Sequence, residues 1–387
     1  VGQYQVQLGR EIDVLNKKAA LTRTSLLLLL VSGSVSAYPL NVLLYHHVAD
    51  DTPFTTSTKV ADFLAQLDDF KAKGYQIVDL EQAVTQIKNG QLLKQKSLAL
   101  TFDDAFASVC NTAYPELKKR KLPFTVFVVT KPIDHHYPDY CSWAQLKEMS
   151  ANGVTIANHS VDHAHLVKNA FSDDDWLEAT KQNITAAGLR ISEQIGKTST
   201  LFAYPYGEYN NDLKAWMKQQ GYIAFGQQSG SIDVVSDWQA LPRFNAAGNY
   251  ATPKALRHKI SAQPLPLDYA QLPSPQTLNP QPELKVTVMP SKYVYYPHLQ
   301  CYLDGQSLKV DWENKTTFVT QPDAPMSAGR HRLNCTAPHR NGWPYYWLSQ
   351  QWVVAKDRTK LPSSEPKQES EQPQSQPQEQ SKIASID

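Results

Sequence analysis

Two adjacent carboxylates, Asp103 and Asp104, end the apolar run Leu98 to Phe102. Two histidines four residues apart, His159 and His163, end a second apolar run that begins at Val154. Neighbouring carboxylates can divide the labour of a hydrolase, one holding a cation and the other taking a proton. Side chains of adjacent strand residues point to opposite faces, so both aspartates reach one site only if a turn begins there. Histidines four apart share a face on one helical turn, close enough to bind one metal ion. With an aspartate they form a facial set of three ligands that leaves positions open for water and substrate. Such a set suits zinc and accepts cobalt or nickel. Taken alone, the aspartate pair also fits a solvated loop. His165 falls off the face shared by His159 and His163 and is expected outside the ligand set. Asp162 has the position to orient a ligand imidazole, or to be an ordinary loop carboxylate.

A third segment, Leu201 to Gly207, is a short apolar run that ends in Tyr204-Pro205-Tyr206. A proline-stiffened turn can present a backbone N–H to developing oxyanion charge, and Tyr204 and Tyr206 can wall a sugar site. The same residues also read as a strand end with packed aromatics.

The elements that must position these groups alternate. Candidate strands at 41–45, 97–102, 124–129, 154–157, 201–204 and 222–225 are separated by stretches with helical spacing, such as Val60, Phe63, Leu64, Leu67 and Phe70. Leu146 with Met149, and Leu213 with Trp216 and Met217, repeat at the same spacing. Strand and helix in alternation imply an α/β domain with a parallel sheet, doubly wound or closed into a barrel, with chemistry at the carboxyl ends of the strands. This domain is expected over 38–263. A Pro- and Gln-rich linker follows over 264–282, then an all-β, sandwich-like domain over 283–355 with turns at Asp304-Gly305 and Asn341-Gly342. Residues 356–387 are too polar to pack a core. Trp312, Trp343, Tyr345, Tyr346 and Trp347 would stack on sugar rings if exposed in a row, or form the sandwich core if buried.

Together, Thr101-Phe102-Asp103-Asp104, the His159-Ser160 pair with His163, and Pro205-Tyr206 resemble the three leading motifs of the NodB-type polysaccharide deacetylases, carbohydrate esterase family four. The resemblance covers about 220 residues and implies an irregular (β/α) barrel of seven strands. It implies that Asp103 is the general base, that Asp104, His159 and His163 bind a divalent metal, and that the Tyr206 amide serves the oxyanion. The substrate class it implies is an acetylated polysaccharide, with acetate as product. Two positions depart from the family pattern. Ala203 stands where the third motif has an arginine, and no Leu-x-His segment closes the domain. Leu241-Pro242-Arg243 resembles a segment of the poly-β-1,6-N-acetylglucosamine deacetylase branch, so Arg243 is expected to supply the guanidinium to Asp103. Leu44-Tyr45-His46 opens the domain instead of closing it. In a barrel the first and last strands are neighbours, which makes His46, ahead of His47, the expected general acid. An O-acetyl esterase, a peptidoglycan or chitin-oligosaccharide deacetylase, and a non-catalytic glycan-binding protein remain as alternative readings of the same residues.

Composition narrows the partners. The chain has 38 basic and 37 acidic residues among 387, a balance without the clustered positive charge that nucleic-acid binding needs. Lys17, Lys18 and Arg23 precede the apolar run Leu26 to Val31, and Val35-Ser36-Ala37 follows, the pattern of a secretory signal peptide cut after Ala37. Residues 1–37 are therefore expected as leader, residues 1–15 of them as an over-extended start. The apolar run is far shorter than the ~20 residues a bilayer span needs, so no membrane span is expected in the mature chain. Cys110 with Cys141, and Cys301 with Cys335, divide two and two between the domains, as disulfides would in an exported, periplasmic or extracellular protein.

Overall fold

The structure, a computed structural model, describes residues 38–356, so the leader and the polar tail both lie outside the described residues. Its first layer is a parallel sheet of strands β1 (Leu40–Tyr45), β2 (Ser97–Phe102), β3 (Thr125–Val128), β4 (Thr155–Asn158), β5 (Leu201–Ala203), β6 (Ile223–Phe225) and β7 (Phe244–Asn245). Their spatial order is β7-β1-β2-β3-β4-β5-β6, with the two-residue strand Gln76–Ile77 also paired to β2. β1 and β2 are buried at every position, as strands covered on both faces must be, and this is why they read as unbroken apolar runs. The sheet curls into a half-barrel. Leu241 bridges Phe225 on β6, and three residues later Phe244 pairs with Leu43 on β1. One short segment thus touches both edges of the sheet and carries Arg243 between them.

Helices α1 (Val60–Ala72), α2 (Leu80–Lys88), α3 (Tyr114–Arg120), α4 (Thr130–Asp134), α5 (Trp143–Ala151), α6 (Trp176–Ile195), α7 (Asn211–Gln219) and α8 (Pro253–Ile260) cover the sheet. Their starts are written in the sequence. The Asp79 carboxylate accepts from the Gln82 N–H, Asn210 caps α7 through the Leu213 N–H, and Ser142 with Gln145 forms a capping box on α5. Pro253 sits in the first turn of α8 behind the Thr252 cap.

A strand-rich region packs against this layer. One of its sheets runs β8 (Gln263–Pro264), β16 (Tyr345–Val354), β15 (Gly329–Pro338), β11 (Gln300–Leu303), β12 (Gln306–Leu308), with β9 (Gln276–Thr277) also on β16. The other is β10 (Leu284–Thr287), β14 (Thr317–Thr320), β13 (Asp311–Trp312). The stretch expected as a linker is thus packed: β8 and β9 pair with β16, and Leu265 and Leu267 are buried in the core between the sheets. The five aromatics named above do not form one row. Trp312 and Tyr346 pack on that core, Trp347 sits edge-on to Phe244 at 5.3 Å on the half-barrel side, and Trp343 lies partly exposed against Arg257.

Both cysteine pairs are joined. Cys301–Cys335 links paired residues of β11 and β15, and Cys110–Cys141 closes a loop with a sequence separation of 31. The second crosslink lies next to the bridge between Phe106 and Tyr140, whose rings lie 5.0 Å apart beside the aspartates. Replacing both Cys110 and Cys141 by Ser should lower stability by about 3–4 kcal/mol, because the open loop restores chain entropy to the unfolded state. Urea unfolding of the oxidised wild type and the double variant checks this, and coincident midpoints would contradict it.

Candidate metal and hydrolytic site

β2 ends at Phe102, and the Asp103 N–H still donates to the Tyr45 carbonyl oxygen at 2.9 Å. The chain then turns hard: Asp104 and Ala105 have φ of 70° and 62°, in the left-handed region that residues with a Cβ seldom enter. That turn brings both carboxylates to one side, as the sequence requires. The histidines converge by a different route from the expected one. Residues 159–163 are loop, not a helical turn, and Ser160 and His163 have positive φ of 73° and 56°. The Asn158 side chain accepts from the Ser160 N–H, and the Ser160 hydroxyl accepts from the His163 N–H, so polar side chains hold the loop where a helix would have used its own backbone.

His159 Nε2 lies 3.4 Å from Asp104 Oδ1, and His163 Nε2 lies 3.3 Å from the same oxygen. All three atoms are buried without a hydrogen-bond partner among the described residues. Buried polar atoms are rarely left so, and the three lie close enough together to hold a cation. Ligands about 2.0–2.1 Å from a tetrahedral zinc stand about 3.3 Å apart, which is the spacing found here. The tautomer fits as well: His159 Nδ1 lies 2.7 Å from the Ala203 carbonyl oxygen, which accepts its N–H and leaves Nε2 free to ligate. Without a cation, burial drives the His159 pKa down, but the charge of Asp103 and the contact to Asp104 outweigh it and the net shift is upward. His163 goes the other way, to about 4, through burial and the neighbouring His159.

Asp103 is fully buried and held by Arg243, also fully buried. Nη1 donates to Asp103 Oδ1 at 2.6 Å and Nη2 donates to Oδ2 at 2.8 Å, a two-pronged ion pair. The remaining donors of the fork reach the Thr101 hydroxyl at 3.2 Å and the Gly226 carbonyl oxygen at 3.0 Å. Burial alone would raise the Asp103 pKa, but the Arg243 charge, followed by that of His159, holds the carboxyl below its usual range. Asp104 likewise would be raised by burial and is brought well down by its contact with His159 and the charge of His46.

A cavity of 580 Å³ opens over these groups, lined by His46, Asp104, His163 and Tyr206 among others. Asp103, His159 and Arg243 lie beneath its floor. Within it, His46 keeps a buried Nδ1 without a partner among the described residues, whereas His47 is stacked on Phe106 at 3.8 Å. Tyr206 has φ of 57° at the tip of its turn, and its ring stacks on His165 at 3.9 Å. His165 itself is engaged by Glu208 at 2.9 Å, outside the ligand set. Asp162 accepts from the Asn183 side chain at the surface and orients no ligand. Tyr204 does not wall the cavity: it is fully buried and its hydroxyl donates to the Gln239 carbonyl oxygen. Sequence patterns gave no warning of Gln227, Arg330 and Arg332, which line the same cavity.

The Arg243–Asp103 pair makes a stability prediction. Arg243→Met strands a buried carboxylate and should cost about 3–5 kcal/mol, while Arg243→Met with Asp103→Leu should recover much of the loss. Denaturant unfolding of the two variants checks it; a double variant no more stable than the single one would contradict it.

Residues 91–225, which hold Asp103, Asp104, His159 and His163, match the family model described as polysaccharide deacetylase. The poly-beta-1,6-N-acetyl-D-glucosamine N-deacetylase of Staphylococcus aureus (strain MRSA252) is 26% identical over 213 residues, covering 53% of this chain and 72% of that protein. YxkH of Bacillus subtilis (strain 168), named for the same family, is 26% identical over 185 residues, and the chain spans 47% of itself and 62% of that relative's length in the match. Among solved structures, IcaB from Ammonifex degensii aligns with a TM-score of 0.51 at 26% identity, over 57% of this chain and 96% of that one. Streptococcus pyogenes deacetylase PplD in complex with acetate has a TM-score of 0.52 at 23% identity, over 58% and 99%, a likeness of fold. Residues 91–225 are therefore a polysaccharide deacetylase domain, in a chain similar to the poly-β-1,6-N-acetylglucosamine deacetylases.

Proposed function

We propose that this chain removes N-acetyl groups from an amino-sugar polysaccharide of the poly-N-acetylglucosamine type, using a divalent cation held by Asp104, His159 and His163. The observation that carries the proposal is the set of three buried ligand atoms, unpartnered among the described residues, beside an arginine-held carboxylate and next to one cavity. The ligand types favour zinc, with cobalt or nickel as the alternatives. A cation bound there would polarise the acetamide oxygen and acidify water, which a carboxylate as weakly basic as Asp103 requires.

The residues then have distinct tasks. Asp103 accepts a proton from water as the water oxygen bonds to the acetyl carbon. Arg243 keeps that carboxylate ionised and fixes the direction of its lone pairs. The Tyr206 N–H donates to the acyl oxygen as it gains charge. His46 delivers a proton to the sugar nitrogen as the C–N bond breaks, so acetate and a free amine leave. Tyr206 and the aromatic residues around the cavity, Phe54, Phe106, Tyr140 and Tyr250, give sugar rings apolar faces to lie against. The two disulfides support an exported, periplasmic or extracellular setting, where such a polymer is found.

Asp103→Asn should lower acetate release by about 100- to 10,000-fold while bound metal is retained, and His159→Ala should lose both. His46→Ala should lower release with metal retained, and less so for an activated ester whose leaving group needs no proton. Acetate assays with metal analysis check all three, and full activity in Asp103→Asn would refute the assignment. A panel of poly-N-acetylglucosamine, chitin oligomers, peptidoglycan and acetylxylan tests the substrate: preference for acetylxylan would replace the N-deacetylase by an O-acetyl esterase.

A further inference from the structure

The Tyr206–Gly207 turn is held from three directions, two of them from the strand-rich region. On one side the backbone of the loop after β6 presses against it: a Cβ placed on Gly207 would lie 2.6 Å from the Gln227 nitrogen, so only glycine fits. On the other side, both carbonyl oxygens of the turn accept from side chains of the strand-rich region. Arg330, on β15, donates through Nη1 to the Tyr206 carbonyl oxygen and to Gln227 Oε1, the latter at 3.2 Å. Gln351, on β16 and 1% exposed, donates through Nε2 to the Gly207 carbonyl oxygen at 2.7 Å. In the β15–β16 ladder Gln351 faces Arg332, two residues from Arg330, so one ladder presents both donors.

The contacts are costly to maintain without a purpose. A non-glycine residue in the left-handed region, as Tyr206 is, is strained and relaxes unless its surroundings over-determine it. Gln351 is buried and Arg330 largely so, and each spends donors on backbone of another region rather than on its own sheet. A region that merely delivered polymer would have no need to bind the backbone of this turn.

We propose that Arg330 and Gln351 are positioning residues of the hydrolytic site: they hold the Tyr206–Gly207 turn so that the Tyr206 N–H points at the acyl oxygen. This rests on the deacetylase function proposed above and adds that the strand-rich region is part of the active site. A misplacement of about 1 Å at such a donor lowers turnover about 100-fold.

The test uses the full chain with two substrates, a soluble N-acetylglucosamine oligomer and a small aryl acetate too short to reach a polymer-binding surface. Arg330→Ala and the near-isosteric Gln351→Met should each lower kcat by about 10- to 100-fold on both substrates, with KM and bound metal unchanged. Arg330→Lys should recover part of the loss, and added guanidinium ion at millimolar concentration should rescue Arg330→Ala. Lys309→Ala, exposed on the same region, should behave as wild type. Thermal unfolding of each variant separates loss of positioning from loss of fold, and Gln351→Met and Arg330→Lys carry the test if Arg330→Ala does not fold. A loss confined to the oligomer and to KM would overturn the inference and make the region a polymer-binding surface. Unchanged kcat in Arg330→Ala and Gln351→Met would overturn it too. A wild-type chain that releases acetate from neither substrate would sink the deacetylase function and the inference together, whereas an active wild type with equally active variants sinks the inference alone.

Discussion

The fork of Arg243 around Asp103 is the interaction on which the rest of the site depends. Two opposite charges with no solvent exposure are stable only when every lone pair and donor is matched, and here the guanidinium also reaches Thr101 and the Gly226 carbonyl oxygen. Those partners lie on β2 and just past β6, and Arg243 itself sits in the segment that spans the two sheet edges. The segment that closes the half-barrel therefore also carries the charge that favours an ionised Asp103. Loosening the closing segment would free the arginine, and a freed arginine would leave a buried carboxylate that burial favours protonating.

The proposed metal-ligand set follows a complementary rule. Where Asp103 is matched within the protein, Asp104, His159 and His163 turn unmatched atoms toward a common point, and the chain bends into left-handed conformations at Asp104, Ala105, Ser160 and His163 to do so. Strain and missing hydrogen bonds gather at the same few residues, as they do where a ligand rather than the fold completes the structure.

Much of this was legible in the sequence, and the exceptions have physical reasons. β1 and β2 were visible because strands covered on both faces are continuous apolar runs, and the helix caps at Asp79, Ser142 and Asn210 are local signals. Thr101 to Asp104 with His159 and His163 stood out as carboxylates and imidazoles near strand ends, and the fold brings Asp104, His159 and His163 together. The route by which the histidines meet was not legible: spacing of four suggested a helical turn, but the Asn158 and Ser160 side chains shape a loop instead. The segment 264–282 looked like a linker because its strands are two residues long and borrow their partner from β16, far along the chain. Tyr204 looked available to a sugar because alternation cannot say which face of a fully covered strand is wet. Arg330 and Gln351 carry no motif at all. Their importance lies in a contact across more than a hundred residues of sequence.

The Cys110–Cys141 crosslink has a consequence for how the finished molecule would acquire the proposed ion. Thiolates are softer and tighter ligands for zinc than imidazole and carboxylate, and a chain with four reduced cysteines would offer the cation rival homes. With both pairs oxidised, no free thiol remains among the described residues. Oxidation would thus leave the proposed cation the Asp104, His159 and His163 set without competition from thiolates.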